Sequence, residues 1–167
     1  MSIVDQLIRK YNLEAHPEGG WYKQTYKSSE EITAGALPER FGANRFFSTA
    51  IYFLLEKGNF SAFHRIKSDE CWHFYAGGPL TIYIIEQKGE LKTISLGNDP
   101  GKGEAFQFVV PAGCWFASRP SPGSEYCFVG CTVSPGFEFE DFELGNAKSL
   151  SAQYPRHSNI ISELCRK

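Results

Sequence analysis

The sequence predicts an all-β fold, a barrel or sandwich of short antiparallel strands with helical segments at its two ends. Two observations carry this. From Phe46 to about Val133 the chain is a series of short apolar runs, each closed by turn residues and none separated by a helical pattern. The composition agrees: aromatic residues make up 15%, beside 16 glycines and 9 prolines in 167 residues. Flat and branched side chains suit pleated surfaces, and glycine and proline suit turns.

Taken in order, Ile3, Leu7 and Ile8 share one face of a short helix within residues 1–12. His16-Pro17-Glu18-Gly19-Gly20 must end it. Residues 21–26 alternate bulky and polar side chains as a half-buried strand does, residues 33–44 read as a polar loop, and sheet resumes at Phe46. Strands are expected over residues 47–55, 70–75, 80–86, 91–96, 106–110, 115–118 and 126–133, with Gln87-Lys88-Gly89-Glu90 as a hairpin turn. Residues 137–144 alternate, then slip phase at Glu140-Asp141, which implies a bulge or a strand end. Asp141 shares parity with Phe137 and Phe139 and is therefore a candidate to point inward. Leu150, Tyr154, Ile160, Ile161 and Leu164 give the tail a loosely helical spacing. With no repeat and no linker, residues 1–167 are expected to form one domain.

Charge and composition exclude several functions. A net charge of −2 and a pI near 6.1 provide no basic field for nucleic acid. No apolar run approaches the roughly 20 residues that cross a bilayer, so no membrane partner is expected, and the first dozen residues do not read as a signal peptide. The expectation is a soluble, cytoplasmic protein. Its five cysteines, an odd number without a Cys-x-x-Cys pair, suit reduced thiols. Serines show no nucleophile-elbow spacing, and no phosphate-cradling glycine loop is present.

One stretch is informative: Gly58, His64, Glu70 and Gly77 fall in the spacing G-x5-H-x-H-x3-E-x6-G, with Ile66 in place of the second histidine. Pro111-Ala112-Gly113-Cys114-Trp115-Phe116 fits P-x-G-x2-H, with Phe116 in place of the histidine and Ala105 in place of an upstream glycine. These resemble the two cupin motifs. In such a barrel, residues two apart on a strand share a face, so positions 64 and 66 look into one cavity, and Glu70 enters it from the next strand. Three histidines and a glutamate bind a divalent metal there; this chain keeps one histidine and the glutamate, and neither metal nor cofactor is expected. His73, three residues from Glu70, belongs to the opposite strand face.

The resemblance extends to His16-Pro17-Glu18-Gly19-Gly20-Trp21-Tyr22, Lys67-Ser68-Asp69-Glu70-Cys71-Trp72-His73 and Val133-Ser134-Pro135-Gly136-Phe137. Together these segments look like the uncharacterised cupin-5 branch, domain of unknown function 985. It implies a double-stranded β-helix barrel, the cupin jelly roll, usually homodimeric and similar in fold to dTDP-4-dehydrorhamnose 3,5-epimerase. Those epimerases use a metal-free histidine base at the position His64 occupies, although Ser61-Ala62-Phe63 stands where they carry an arginine and a glycine. A homodimer also follows from residues 21–26, a hydrophobic strand that would otherwise leave an exposed edge.

The expected site is thus a small-molecule pocket. His64 is the candidate base, Glu70 orients or charges its imidazole, and Ile66, Trp72, Phe74, Phe116 and Asp141 line the cavity. His16, Glu18 and His157 are read as structural. Metal-independent epimerisation or isomerisation of a carbohydrate-like ligand is the leading activity. A non-catalytic binding or sensor module is the alternative, and a metal-dependent enzyme using His64, Glu70 and His73 is a third.

Overall fold

The structure, a computed structural model, describes residues 1–166. After helix α1 (Ile3–Tyr11) come strands β1 (Glu14–Ala15), β2 (Trp21–Lys27), β3 (Glu31–Ile32), β4 (Arg45–Phe46), β5 (Thr49–Glu56) and β6 (Ser61–Arg65). They are followed by β7 (Asp69–Gly77), β8 (Leu80–Ile85), β9 (Leu91–Leu96), β10 (Gln107–Val110), β11 (Trp115–Pro120), β12 (Tyr126–Ser134) and β13 (Glu143–Leu144). Helices α2 (Ala147–Gln153) and α3 (Ser158–Glu163) close the described chain.

Eleven of these strands form two antiparallel sheets, ordered β1-β2-β5-β12-β7-β10 and β13-β6-β11-β8-β9. Strand parity decides what each sheet buries. Phe53 and Leu55 of β5, Trp72 of β7 and Val129 and Cys131 of β12 meet Ile82 and Ile84 of β8 and Phe116 of β11 in one interior core. The alternate residues face outward and are covered by helices. Leu54 and Phe128 receive Val4, Leu7, Ile8 and Tyr11 of α1, whereas Phe63, Ile85, Trp115 and Ala117 receive Leu150, Ile161 and Leu164 of the tail.

Local chemistry sets the ends of these elements. Ser2 caps α1 through a reciprocal capping box with Asp5, and Asn12 ends it in the left-handed region at φ 51°. The apolar stripe of α1 is therefore Val4, Leu7, Ile8 and Tyr11, and Ile3 falls outside it, 45% exposed. The hairpin between β8 and β9 closes through Gly89 at φ 82°, whose N–H donates to the Glu86 carbonyl oxygen. His157 donates from Nε2 to the Gly89 carbonyl oxygen at 2.8 Å, which ties that hairpin to the tail and gives His157 the structural role expected of it.

Residues 137–144 depart from the alternating strand expected. A 3-10 turn occupies Phe139–Asp141, and only Glu143–Leu144 remain as strand. The cause is Arg45, which is 1% exposed and donates from Nε and Nη2 to the two carboxylate oxygens of Asp141 at 2.6 and 2.7 Å. Glu140 adds a second carboxylate to the same guanidinium, and Lys67 lies 3.3 Å from Asp141. Asp141 is thus buried, as its parity suggested, but it faces an internal cation and does not line the cavity described below.

Removing one member of a buried pair strands the other, at a cost on the order of 3 to 5 kcal/mol. Arg45→Ala and Asp141→Ala are each expected to lower stability by about that amount in urea unfolding. The double variant should lose less than the sum of the two, and additive losses would contradict the pairing.

Candidate functional site

The site begins with the turn His16-Pro17-Glu18-Gly19-Gly20. Its backbone closes on itself, His16 N–H donating to the Gly20 carbonyl oxygen and Gly19 N–H to that of His16. Gly19 and Gly20 have φ of 111° and 80°. A Cβ at Gly19 would collide with the Phe60 carbonyl oxygen, and one at Gly20 would stand 2.8 Å from that of Leu54. Both positions need glycine, for conformation and for space. The turn is fastened from outside as well: Ala62 N–H donates to the Glu18 carbonyl oxygen at 2.8 Å, and Arg166 reaches the same oxygen at 3.3 Å while holding Phe60 and Asn59.

This turn carries the Glu18 side chain into the barrel, where its Oε2 lies 3.0 Å from His64 Nε2. Both groups are buried, with 8% and 3% of their side chains exposed. The other imidazole nitrogen, Nδ1, lies 2.7 Å from the Ala62 carbonyl oxygen. A carbonyl oxygen only accepts, so Nδ1 carries hydrogen and the neutral ring leaves Nε2 with a lone pair facing Glu18. Two facing acceptors repel, so a proton lies between them.

Burial determines where that proton sits. Desolvation raises the Glu18 carboxyl well above its ordinary range, reinforced by the nearby Glu70 charge, and desolvation lowers His64 to about 3. Near neutral pH the pair is a protonated carboxyl donating to a neutral imidazole. His16, whose Nδ1 accepts from Glu18 N–H at 3.3 Å, is lowered by burial to about 4.

Glu70 enters the cavity from β7, as the motif spacing implied, but it is not the partner of His64. Its neighbour is the Cys131 thiol, whose hydrogen bond favours the carboxylate, and burial outweighs this and raises Glu70 to about 7. The role expected of Glu70 thus falls to Glu18, a residue read from the sequence as structural.

His64, Glu18, Glu70, Cys131 and Ile66 line one cavity of about 310 Å³, together with Tyr22, Gln24 and Lys27 of β2 and Thr49 and Ile51 of β5. Phe137, Phe139 and Phe142 form an aromatic wall, their ring centroids 5.0 to 6.5 Å apart. Of the remaining residues expected to line it, Phe116 is 1% exposed and lies behind the His64 ring, centroids 4.1 Å apart. Trp72 is core beneath it, edge-on to Phe53 and Phe116, and Phe74 packs against the same core. They share the inward face with Glu70 but lie at other levels of the barrel. His73 faces elsewhere, bonded to Thr132 and Gln107.

The donor chemistry does not fit a cupin metal. Ile66 and Phe116 offer no ligand atoms at two of the four motif positions, and the remaining His64 has its Nε2 turned to Glu18. Among the described residues no three His, Cys, Asp or Glu side chains are grouped to hold an ion. No described helix is long and apolar enough to cross a membrane.

Residues 5–145 match the family described as Cupin superfamily (DUF985). An uncharacterised protein of Saccharomyces cerevisiae, YML079W, is 32% identical over 149 residues, covering 84% of this chain and 74% of its own. The crystal structure of protein SO0799 from Shewanella oneidensis is similar at 43% identity and a TM-score of 0.88, over 99% of both chains. A hypothetical protein from Leishmania major follows at 30% identity and a TM-score of 0.90, over 98% of both.

The placement of the protons has a measurable consequence. The unfolded Glu70 carboxyl ionises above about 4.5, while the folded one holds its proton to about 7. The folded state therefore binds the extra proton in that window, and Glu70's contribution to stability falls as pH rises through it. Glu70→Gln is expected to flatten this part of the stability profile, measured by urea unfolding between pH 4 and 8. An unchanged profile would contradict the burial assigned to Glu70.

Proposed function

The chain belongs to the cupin superfamily, in its DUF985 branch, and from that premise we propose that its pocket binds a small carbohydrate-like molecule and moves protons next to a carbonyl without a metal. The observation that carries this reading is the meeting of His64, Glu18 and Glu70 on the floor of one small, partly aromatic cavity. Buried titratable groups held apart in proton affinity are costly for a core and suited to acid–base work.

The chemistry assigns each group a part. Glu70, which titrates near neutrality, removes the hydrogen from the carbon beside the carbonyl as its carboxylate. Glu18, oriented by the His64 Nε2 that the Ala62 contact fixes in place, gives its proton to the carbonyl oxygen. The enol that results regains a proton at carbon from Glu70 and returns one from oxygen to Glu18. Delivery by Glu70 to the neighbouring carbon on the same face is isomerisation, and epimerisation requires delivery from a second donor to the opposite face. Every proton removed is returned, so no oxidant or reductant is required.

A specific observation also favours a non-catalytic binding module: both nitrogens of His64 are engaged within the protein, so the ring offers the ligand no free atom. The two readings part in heavy water. The catalytic one expects deuterium from solvent to enter the carbon-bound position of a bound ketose or aldose, followed by proton NMR. Glu70→Gln and Glu18→Gln should each slow exchange by about 100-fold or more. Ligands that bind without any exchange would leave the binding module standing and remove the enzyme.

A further inference from the structure

We propose that the pocket is built for an uncharged, single-ring sugar-like molecule and discriminates against the phosphorylated and nucleotide-linked forms of the same sugar. The inference rests on the reading of the site as a carbohydrate pocket and specifies its substrate class.

The charge of the lining is the first ground. Glu18, Glu70 and Glu138 contribute three carboxyl groups, and Lys27 is the only lysine or arginine among the described lining residues. Lys27 is already answered: its Nζ lies 2.8 Å from Glu138 Oε1 and 4.1 Å from the centroid of the Phe46 ring. Recognition of a phosphate calls for a free guanidinium or ammonium, or a run of unpaired backbone N–H groups. Here the lining backbone of β5, β7 and β12 is committed to strand pairing on both sides, β2 pairs with β5 along its lining residues, and Phe137 N–H donates to Thr49 Oγ1 at 2.9 Å. A phosphate would meet neutral donors and carboxyl groups there, with no free cation to offset its charge.

The second ground is the match to a neutral sugar. Protonated carboxyls, a thiol, the Tyr22 hydroxyl and the Gln24 amide all both donate and accept, as sugar hydroxyls do. Beside them, Phe137, Phe139 and Phe142 with Ile51, Ile66 and Val133 offer apolar surface for the C–H face of a ring. At about 310 Å³ the cavity stands at the low end of the roughly 300 to 1,000 Å³ usual for ligand pockets, enough for one ring.

Calorimetry with matched probes tests this: L-fucose and D-glucose, the 1-phosphate of each, and GDP-fucose and UDP-glucose. The expected result is binding of at least one free sugar, with its phosphate and nucleotide forms weaker by about tenfold or more. Glu138→Gln, which frees Lys27, should narrow that gap several-fold by strengthening the phosphate. Tighter binding of phosphorylated or nucleotide forms overturns the proposal, as does a gap that Glu138→Gln leaves unchanged, or no binding by any probe. A free sugar that binds preferentially yet exchanges no deuterium would defeat the proposed catalysis and leave this assignment intact. A nucleotide sugar that exchanges in a Glu70-dependent manner would do the reverse.

Discussion

A carboxyl group buried 3.0 Å from an imidazole nitrogen is the constraint on which this site depends. Left ionised and unpaired, Glu18 would cost several kcal/mol, so the fold has to deliver it to a lone pair and keep a proton on it. That requirement explains the glycines at 19 and 20, which allow a turn tight against the Phe60 and Leu54 carbonyls. It also explains why the end of the chain returns to the beginning: Arg166 clamps the Glu18 carbonyl and the Phe60 carbonyl together. Because His64 Nε2 is consumed by this pair, the remaining motif glutamate is released from orienting the imidazole and stands with Cys131 as a separate titrating group.

The cavity combines two kinds of support. Its floor is held by strands that are covered on their outer faces by α1 on one side and by α2 and α3 on the other. Its aromatic wall belongs instead to residues 137–142, outside the long strands, and depends on the buried Arg45–Asp141 pair for its conformation. Charge in the interior is thus spent on shaping the wall, and the ligand side of that wall is left apolar.

Much of the barrel was legible because strand parity and turn chemistry are local. The run over residues 91–96 matches β9, and the Gly89 turn closes as its composition implied. Parity also placed Glu70, Trp72 and Phe74 on one face and His73 on the other. It could not tell depth, which is why Trp72 and Phe74 prove to be core while Ile66 and Glu70 reach the cavity. Residues 137–144 misled for a related reason: alternation holds only while the backbone stays extended, and a long-range cation drew Asp141 into a 3-10 turn. Glu18 was missed because its partner is brought to it by tertiary structure. The one local signal was the pair of glycines beside it, which in hindsight mark a backbone held close to another for a purpose.

The central claim is the protonation state of the Glu18–His64 pair, and nitrogen-15 NMR of the histidine side chains reads it directly. Between pH 5 and 8 the account predicts a neutral His64 ring with hydrogen on Nδ1 and an unprotonated, hydrogen-bonded Nε2. Replacing Glu18 by alanine should shift the Nε2 signal. A His64 that is an imidazolium across that range, or whose Nε2 signal is indifferent to Glu18→Ala, would contradict it.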